Sequence, residues 1–205
     1  PGNAASFTVD DVHRLMTTAI GLMFARWAGD GLNGGGTIKV IAEKTPEHIV
    51  SLDRLVQSVP HMKVIHVYRD ARDEAVAVWN FNQSLSQGAF QAKYPQFSDF
   101  ATAFADNWRQ SINTTRTFER THRGQCSHIR AEGFQGDEVN ALRPLMQFLG
   151  VDDGETMIKN CADAAWEVAP LDVDPGAWKK KFDEDTAKFY QRDCGELLKL
   201  LGYEV

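Results

Sequence analysis

The chain has 205 residues, enough to bury one good core, and reads as a single domain over 1–205. It is 43% apolar and 24% charged, with a formal net charge of −6. That balance argues against a nucleic-acid backbone or another large polyanion as partner, while a small anion in a local basic pocket stays compatible.

Residues 9–28 read as an amphipathic helix, with Val12, Leu15, Met16, Ala19, Ile20, Met23 and Trp27 at helical spacing and Thr8 as N-cap. Gly29 to Gly36, glycine at five of eight positions, reads as a connector. It is no phosphate-binding loop, having neither a Gly-Lys-Ser/Thr ending nor a strand before it. Ile38 to Ala42 reads as a short buried strand. Thr45 then caps a helix with Pro46 in its first turn, and Ile49, Leu52, Leu55, Val56 and Val59 form its buried stripe. Pro60 ends it. Val64 to Tyr68 reads as a second strand, followed by a helix over about 70–81. A long helix is expected over 97–120, with Phe97, Phe100, Ala101, Phe104, Trp108, Ile112 and Thr115 on one side. Ser127 to Arg130 reads as a third strand. Residues 138–149 form a helix closed by Gly150. Helices over 155–165 and 184–201 complete the chain.

Strands alternating with helices predict an α/β protein with a parallel sheet flanked by helices. Three strands are few for such a sheet, which suggests that at least one is missing. No apolar run is long enough to span a membrane. Cys126, Cys161 and Cys194 are odd in number and lack metal-ligand spacing; they read as free thiols of a reducing, cytoplasmic compartment, with no metal. The chain begins at Pro1 without a signal-peptide pattern and reads as a processed product or as part of something longer.

Two blocks concentrate charge at strand ends. Glu43-Lys44-Thr45-Pro46-Glu47-His48 follows the first strand, and Arg69-Asp70-Ala71-Arg72-Asp73 follows the second. Ligands of parallel α/β proteins bind at C-terminal strand ends. Arg69 at a helix start could hold a phosphate, by two parallel bonds and with the helix N–H groups. Equally, Arg69, Asp70, Arg72 and Asp73 could pair among themselves. Lys44 could neutralise a leaving group, or be a solvated lysine. Glu43 and His48 are the nearest candidates for a general base, a surface histidine being the plainer reading of His48. His66 reads as a packing residue. Trp178-Lys179-Lys180-Lys181-Phe182 could pack its aromatic pair and turn Lys179 and Lys180 to a phosphate, or form a solvated helix entrance. Trp79, Asn82, Gln83 and Trp108 could border an acceptor pocket, and core packing explains the tryptophans equally well.

In shared order and spacing these blocks resemble the sulfotransferases that use 3′-phosphoadenosine 5′-phosphosulfate (PAPS), over about residue 38 to the end. Ile41 to Pro46 looks like the family's strand ending in Glu-Lys-Thr-Pro, and Ile65 to Asp73 like its 3′-phosphate-binding strand and helix. Ile129 to Phe134 with Pro144 to Val151, Gly176 to Lys179 with Phe182, and Leu200 to Glu204 are similar to its later segments. The resemblance implies a P-loop-like α/β fold lacking its first strand here, with PAPS as donor and PAP as product. The acceptor would be the hydroxyl or amine of a small molecule or peptide. By position, Arg69 would hold the 3′-phosphate and Lys44 would lie near the sulfuryl group or the acceptor, with Arg72, Trp178, Lys179 and Lys180 lining the nucleotide.

The departures are specific. No 5′-phosphosulfate loop precedes Ile38, so the domain reads as N-terminally incomplete. Ala77 stands where the family has serine, Leu171-Asp172-Val173 where it has Arg-Lys-Gly, Ala131 where it has tyrosine, and Pro46 where some members have the histidine base. Three readings therefore stand: a sulfotransferase, a degenerate relative acting as a binding or scaffold protein, and a nucleotide or sugar kinase of similar fold. The resemblance also allows a lumenal domain of a Golgi-type enzyme.

Overall fold

The computed structural model describes residues 8–31, 40–85, 88–134, 137–168 and 174–205. Helix α1 spans Val9–Gly31. Thr8 opens it as expected. Its hydroxyl accepts the Asp11 N–H at 3.2 Å, while the Asp11 carboxylate accepts the Thr8 N–H at 2.9 Å, a reciprocal cap. The helix runs through Gly29 to Gly31, so the connector expected from Gly29 starts later; 32–39 lie outside the described residues.

The strand expected at Ile38 to Ala42 is not formed in its described part: Val40 to Ala42 carry no strand pairing. Val40 and Ile41 are 42% and 38% exposed, so neither a neighbouring strand nor a covering layer rewards extension there. A 3-10 helix over Pro46–Ser51 follows, then α2 (Leu52–Ser58). Thr45 stands at the cap position, but its hydroxyl bonds the Glu43 carboxylate instead of a helix N–H. That removes the cap and leaves the tighter helix form for the first turn.

Strand β1 is Val64–Tyr68 and β2 is Cys126–Arg130. They pair in parallel, Val64 opposite Cys126 and Tyr68 opposite Arg130, and are the two strands of the sheet among the described residues. Between them run α3 (Ala71–Leu85), α4 (Ala89–Lys93) and α5 (Phe97–Thr121). After β2 come a 3-10 turn at Ala131–Phe134, α6 (Glu138–Leu149) and α7 (Glu155–Val168). Helices α8 (Trp178–Lys181), α9 (Glu184–Asp193) and α10 (Gly195–Leu200) end the chain. Gly150 closes α6 at φ +74, a left-handed conformation in which glycine carries no Cβ penalty.

Helix α5 buries Phe100, Ala101, Ala105, Trp108, Ile112, Thr115 and Phe118 at three- and four-residue spacing, close to the expected stripe. Ala71 and Ala75 of α3 meet Ala101 and Ala105 of α5 in one core cluster, the short side chains letting the helices approach closely. Tyr190, Cys194 and Leu198 complete that cluster, each with no exposed surface. They recur every four residues, yet the single helix expected over 184–201 breaks at Cys194. The break brings Gly195 beside Val205, where a Cβ would lie 3.3 Å from the Val205 side chain. The C-terminus is thereby folded back, with Tyr203 N–H bonded to the Leu198 carbonyl at 2.9 Å. Trp79 and Trp108 are 8% and 5% exposed and belong to the core. Cys126 and Cys194 are buried, Cys161 is half-buried, and all three are free thiols. Among the described residues no helix is long and apolar enough to cross a membrane.

Candidate active site

The C-terminal ends of β1 and β2 lie side by side, Tyr68 opposite Arg130, and the charged residues that follow them form one cluster. Arg69 is half-buried where β1 turns into α3, and its carbonyl accepts the Trp108 indole N–H at 3.2 Å. Asp70 is the hinge of the turn. Its carboxylate accepts the Arg72 backbone N–H at 2.9 Å, so the first turn of α3 is capped from within. Asp70 thus takes up one of the backbone N–H groups at this helix start from within the protein.

Arg72 is held entirely by the protein. It makes two bonds to Asp70, at 2.9 and 2.6 Å, and a third to the Glu204 carbonyl at 2.7 Å. Its guanidinium stacks 4.4 Å from the centre of the Trp178 ring. Asp73, 3% exposed, accepts the backbone N–H groups of Gly176 and Trp178 at 2.9 and 3.0 Å. These contacts tie the Gly176–Lys181 block to the start of α3 across a sequence separation of 103 residues. Gly176, at φ +87, supplies the backbone turn. Lys179 and Lys180 stand exposed on that block. The structure thus brings Arg69, Arg72, Trp178, Lys179 and Lys180 into one region, with Arg72 and Trp178 as its brace.

Two carboxylates that the sequence did not single out belong here. Glu132, just past β2, accepts the Asp70 N–H at 2.9 Å and the Tyr203 hydroxyl at 3.0 Å, and lies 3.5 Å from Arg130 Nε. Arg130 in turn lies 4.0 Å over the Tyr203 ring. Burial, reinforced by Glu132, pushes the Tyr203 hydroxyl well above its usual pKa, so it stays a donor. Glu74, in the first turn of α3, has its pKa pushed up to about 7; burial dominates, Arg69 opposes it and Glu132 adds to it. It therefore carries only part of a charge near neutrality. Both could have been found by the strand-end rule that marked Arg69, since each lies within six residues of a strand's last residue.

Glu43, Lys44 and His48 sit elsewhere, on the segment leading into α2. The His48 Nδ1–H faces the Glu43 carboxylate at 2.9 Å, and the Thr45 hydroxyl donates to the other oxygen. Lys44 is exposed. The 3-10 helix bearing His48 packs on α5. Between them lies a cleft of about 580 Å³, lined by Ile49 to Arg54 and by Gln110, Asn113, Thr114, Thr117 and Phe118. Helix α5 is therefore the wall common to both regions, meeting Arg69 at Trp108 and the cleft from Gln110 onward. Asn82 and Gln83 bond within their own neighbourhood, Asn82 to the Val78 carbonyl and Gln83 to Gln91. Leu171 to Val173 lie outside the described residues.

His66 is a packing residue, 8% exposed. Its Nδ1 lies 3.1 Å from both His128 Nδ1 and the Thr115 hydroxyl. Burial and, second, His128 lower its pKa to about 4. Among the described residues no group of His, Cys, Asp or Glu is placed to hold a metal ion.

The sequence pattern of the sulfotransferase family matches residues 7–155. Among solved structures, the chain is similar to a mouse sulfotransferase, SULT7A1, complexed with PAP. The TM-score is 0.54 at 15% identity, over 70% of this chain and 64% of that one. The chain thus spans under two thirds of that protein, and the likeness establishes a sulfotransferase-like α/β fold. No curated protein matches the sequence.

Proposed function

The chain belongs to the sulfotransferase family, and on that premise we propose that it transfers a sulfuryl group from PAPS to a hydroxyl or amine of a small-molecule or peptide acceptor. The observation that carries the reading is the union of the Arg69 strand end with the Trp178–Lys180 block through Asp73 and Arg72. It supplies three cations, Arg69, Lys179 and Lys180, on a braced surface. Glu74, partly protonated near neutrality, lessens the negative charge that an incoming anion meets. These features fit a nucleotide phosphate.

Arg69 holds the 3′-phosphate in this reading, and Lys179 and Lys180 add screening charge. PAPS supplies the sulfuryl group and departs as PAP. Lys44 offsets charge on the leaving side. Glu43 orients His48 through Nδ1, so that Nε2 can take the acceptor proton. Positioning and charge do most of the work in such in-line transfers.

Calorimetric titration with PAP tests the reading. Micromolar binding by the parent and at least tenfold weaker binding by Arg69→Ala are expected; equal affinity of the two removes Arg69 from the site. A second reading, a non-catalytic relative that binds PAP as a scaffold or regulator, is favoured by the exposure of Lys44 on a segment without strand pairing. Binding of PAP without transfer to any acceptor, and indifferent to Lys44→Ala, would select it.

A further inference from the structure

Helix α1 presents an apolar stripe that nothing covers among the described residues. Val12, Leu15, Met16, Leu22, Met23 and Trp27 are 46%, 58%, 48%, 67%, 72% and 63% exposed. At about 100° per residue they fall in one sector, roughly 140° wide. The neighbouring sector faces α2. There the Thr17 hydroxyl donates to the Ser58 carbonyl, and Ile20, Phe24 and Ala28 are half-buried. The stripe is therefore not the side by which α1 joins its own domain. An exposed surface of this kind, apolar but for Arg26, marks an interaction site.

We propose that this stripe is a self-association surface, on which α1 pairs antiparallel with α1 of a second copy of the chain. Charge selects that occupant and that orientation. Asp11 lies at the N-terminal end of the stripe's outer border, and Arg26, fifteen residues on, lies about 60° further round, inside the stripe on the same side of its midline. When two copies cross near Ala19, Asp11 of each faces Arg26 of the other, and the two-fold axis repeats the pair at both ends. The same register sets Leu15 over Leu22, and the small Ala19 at the crossing lets the helices approach. A parallel pair would instead set Asp11 against Asp11 and Arg26 against Arg26. Asp11 is a dependable anion, because its bonds from Thr8 hold its carboxyl below the usual range.

Sedimentation equilibrium of the chain, from micromolar to several hundred micromolar, tests this. A monomer–dimer equilibrium is expected. Leu22→Glu should weaken it at least tenfold, with the far-ultraviolet circular dichroism and melting temperature of the parent. Arg26→Glu and Asp11→Arg should each weaken it as well, and an equimolar mixture of those two variants should restore the dimer. That rescue is read between folded chains and does not depend on Leu22→Glu folding. A chain that stays monomeric throughout the range, a dimer indifferent to Leu22→Glu, or a mixture that stays monomeric overturns the proposal.

Discussion

The strand-end cluster and the Glu43–His48 segment carry similar residue types, yet the protein treats them oppositely. Asp70, Arg72 and Asp73 are buried and Glu132 half-buried, and each is bonded to backbone or to an opposite charge. Around Lys44, charged groups stand at the surface on a segment with no strand pairing. Withdrawn from water, a charge must be fully bonded, and its partners then fix it to a definite geometry. At the surface, the same residues are held by little more than their neighbours in sequence. The strand-end cluster is therefore braced by its own bonds, while the Glu43–His48 segment is held mainly by contacts between its own neighbours.

The contrast can be broken most directly at Arg72. Arg72→Ala strips Asp70 of its partner and Trp178 of its stacked cation, and should destabilise the fold by about 3 kcal/mol. Urea unfolding measures it, and a loss below about 1 kcal/mol would mean the brace is weak. Asp73→Ala leaves the Gly176 and Trp178 N–H groups without their acceptor and should cost about 2 kcal/mol. It should also weaken PAP binding, by loosening the block that carries Lys179. Unchanged melting with unchanged binding would show that the block stands without that anchor.

A third test separates two titrating groups. His66 binds its proton less tightly in the fold, at about 4 against 6.5. Its contribution is full above about pH 6.5 and is lost as pH falls toward 4. Glu74 binds its proton more tightly, at about 7 against 4.5, so its contribution is present at low pH and is lost as pH rises from about 4.5 to 7. Each gap is worth roughly 3 kcal/mol, so in the parent the two slopes oppose and nearly cancel. Glu74→Gln should expose the His66 slope, with stability falling on acidification. His66→Gln should expose the Glu74 slope, with stability falling as pH rises. Denaturant midpoints across that range give the sign directly, and matching slopes in both variants would refute the pairing. The smallest effect belongs to Lys44. Lys44→Ala should change unfolding by less than about 0.5 kcal/mol while lowering sulfuryl transfer more than PAP binding.

Sequence pattern located α3, α5 and α6 by helical periodicity, and β1 and β2 by short runs between turn signals. It also located Arg69 and the Trp178 block, since strand ends and aromatic–basic clusters are local patterns. It failed at Val40 to Ala42, the described part of the strand expected there. An apolar run becomes a strand only if another edge pairs with it, and that partner is a tertiary matter. It failed again at Cys194, where the apolar period continues through a break beside which the C-terminus packs. Arg72 was legible as a cation, but its assignment to Asp70, Glu204 and Trp178 was not, because two of those partners lie more than a hundred residues away. Glu132 and Glu74 were within reach of the strand-end rule, but the bonds of Glu132 to Asp70 and Tyr203 were not, because those partners lie more than sixty residues away in sequence. The sequence by itself determined the element types and the charged strand ends, which follow from local spacing. The tertiary structure alone decided which of those charges are buried and braced and which stay in water, because desolvation and pairing depend on residues that the chain brings together only on folding.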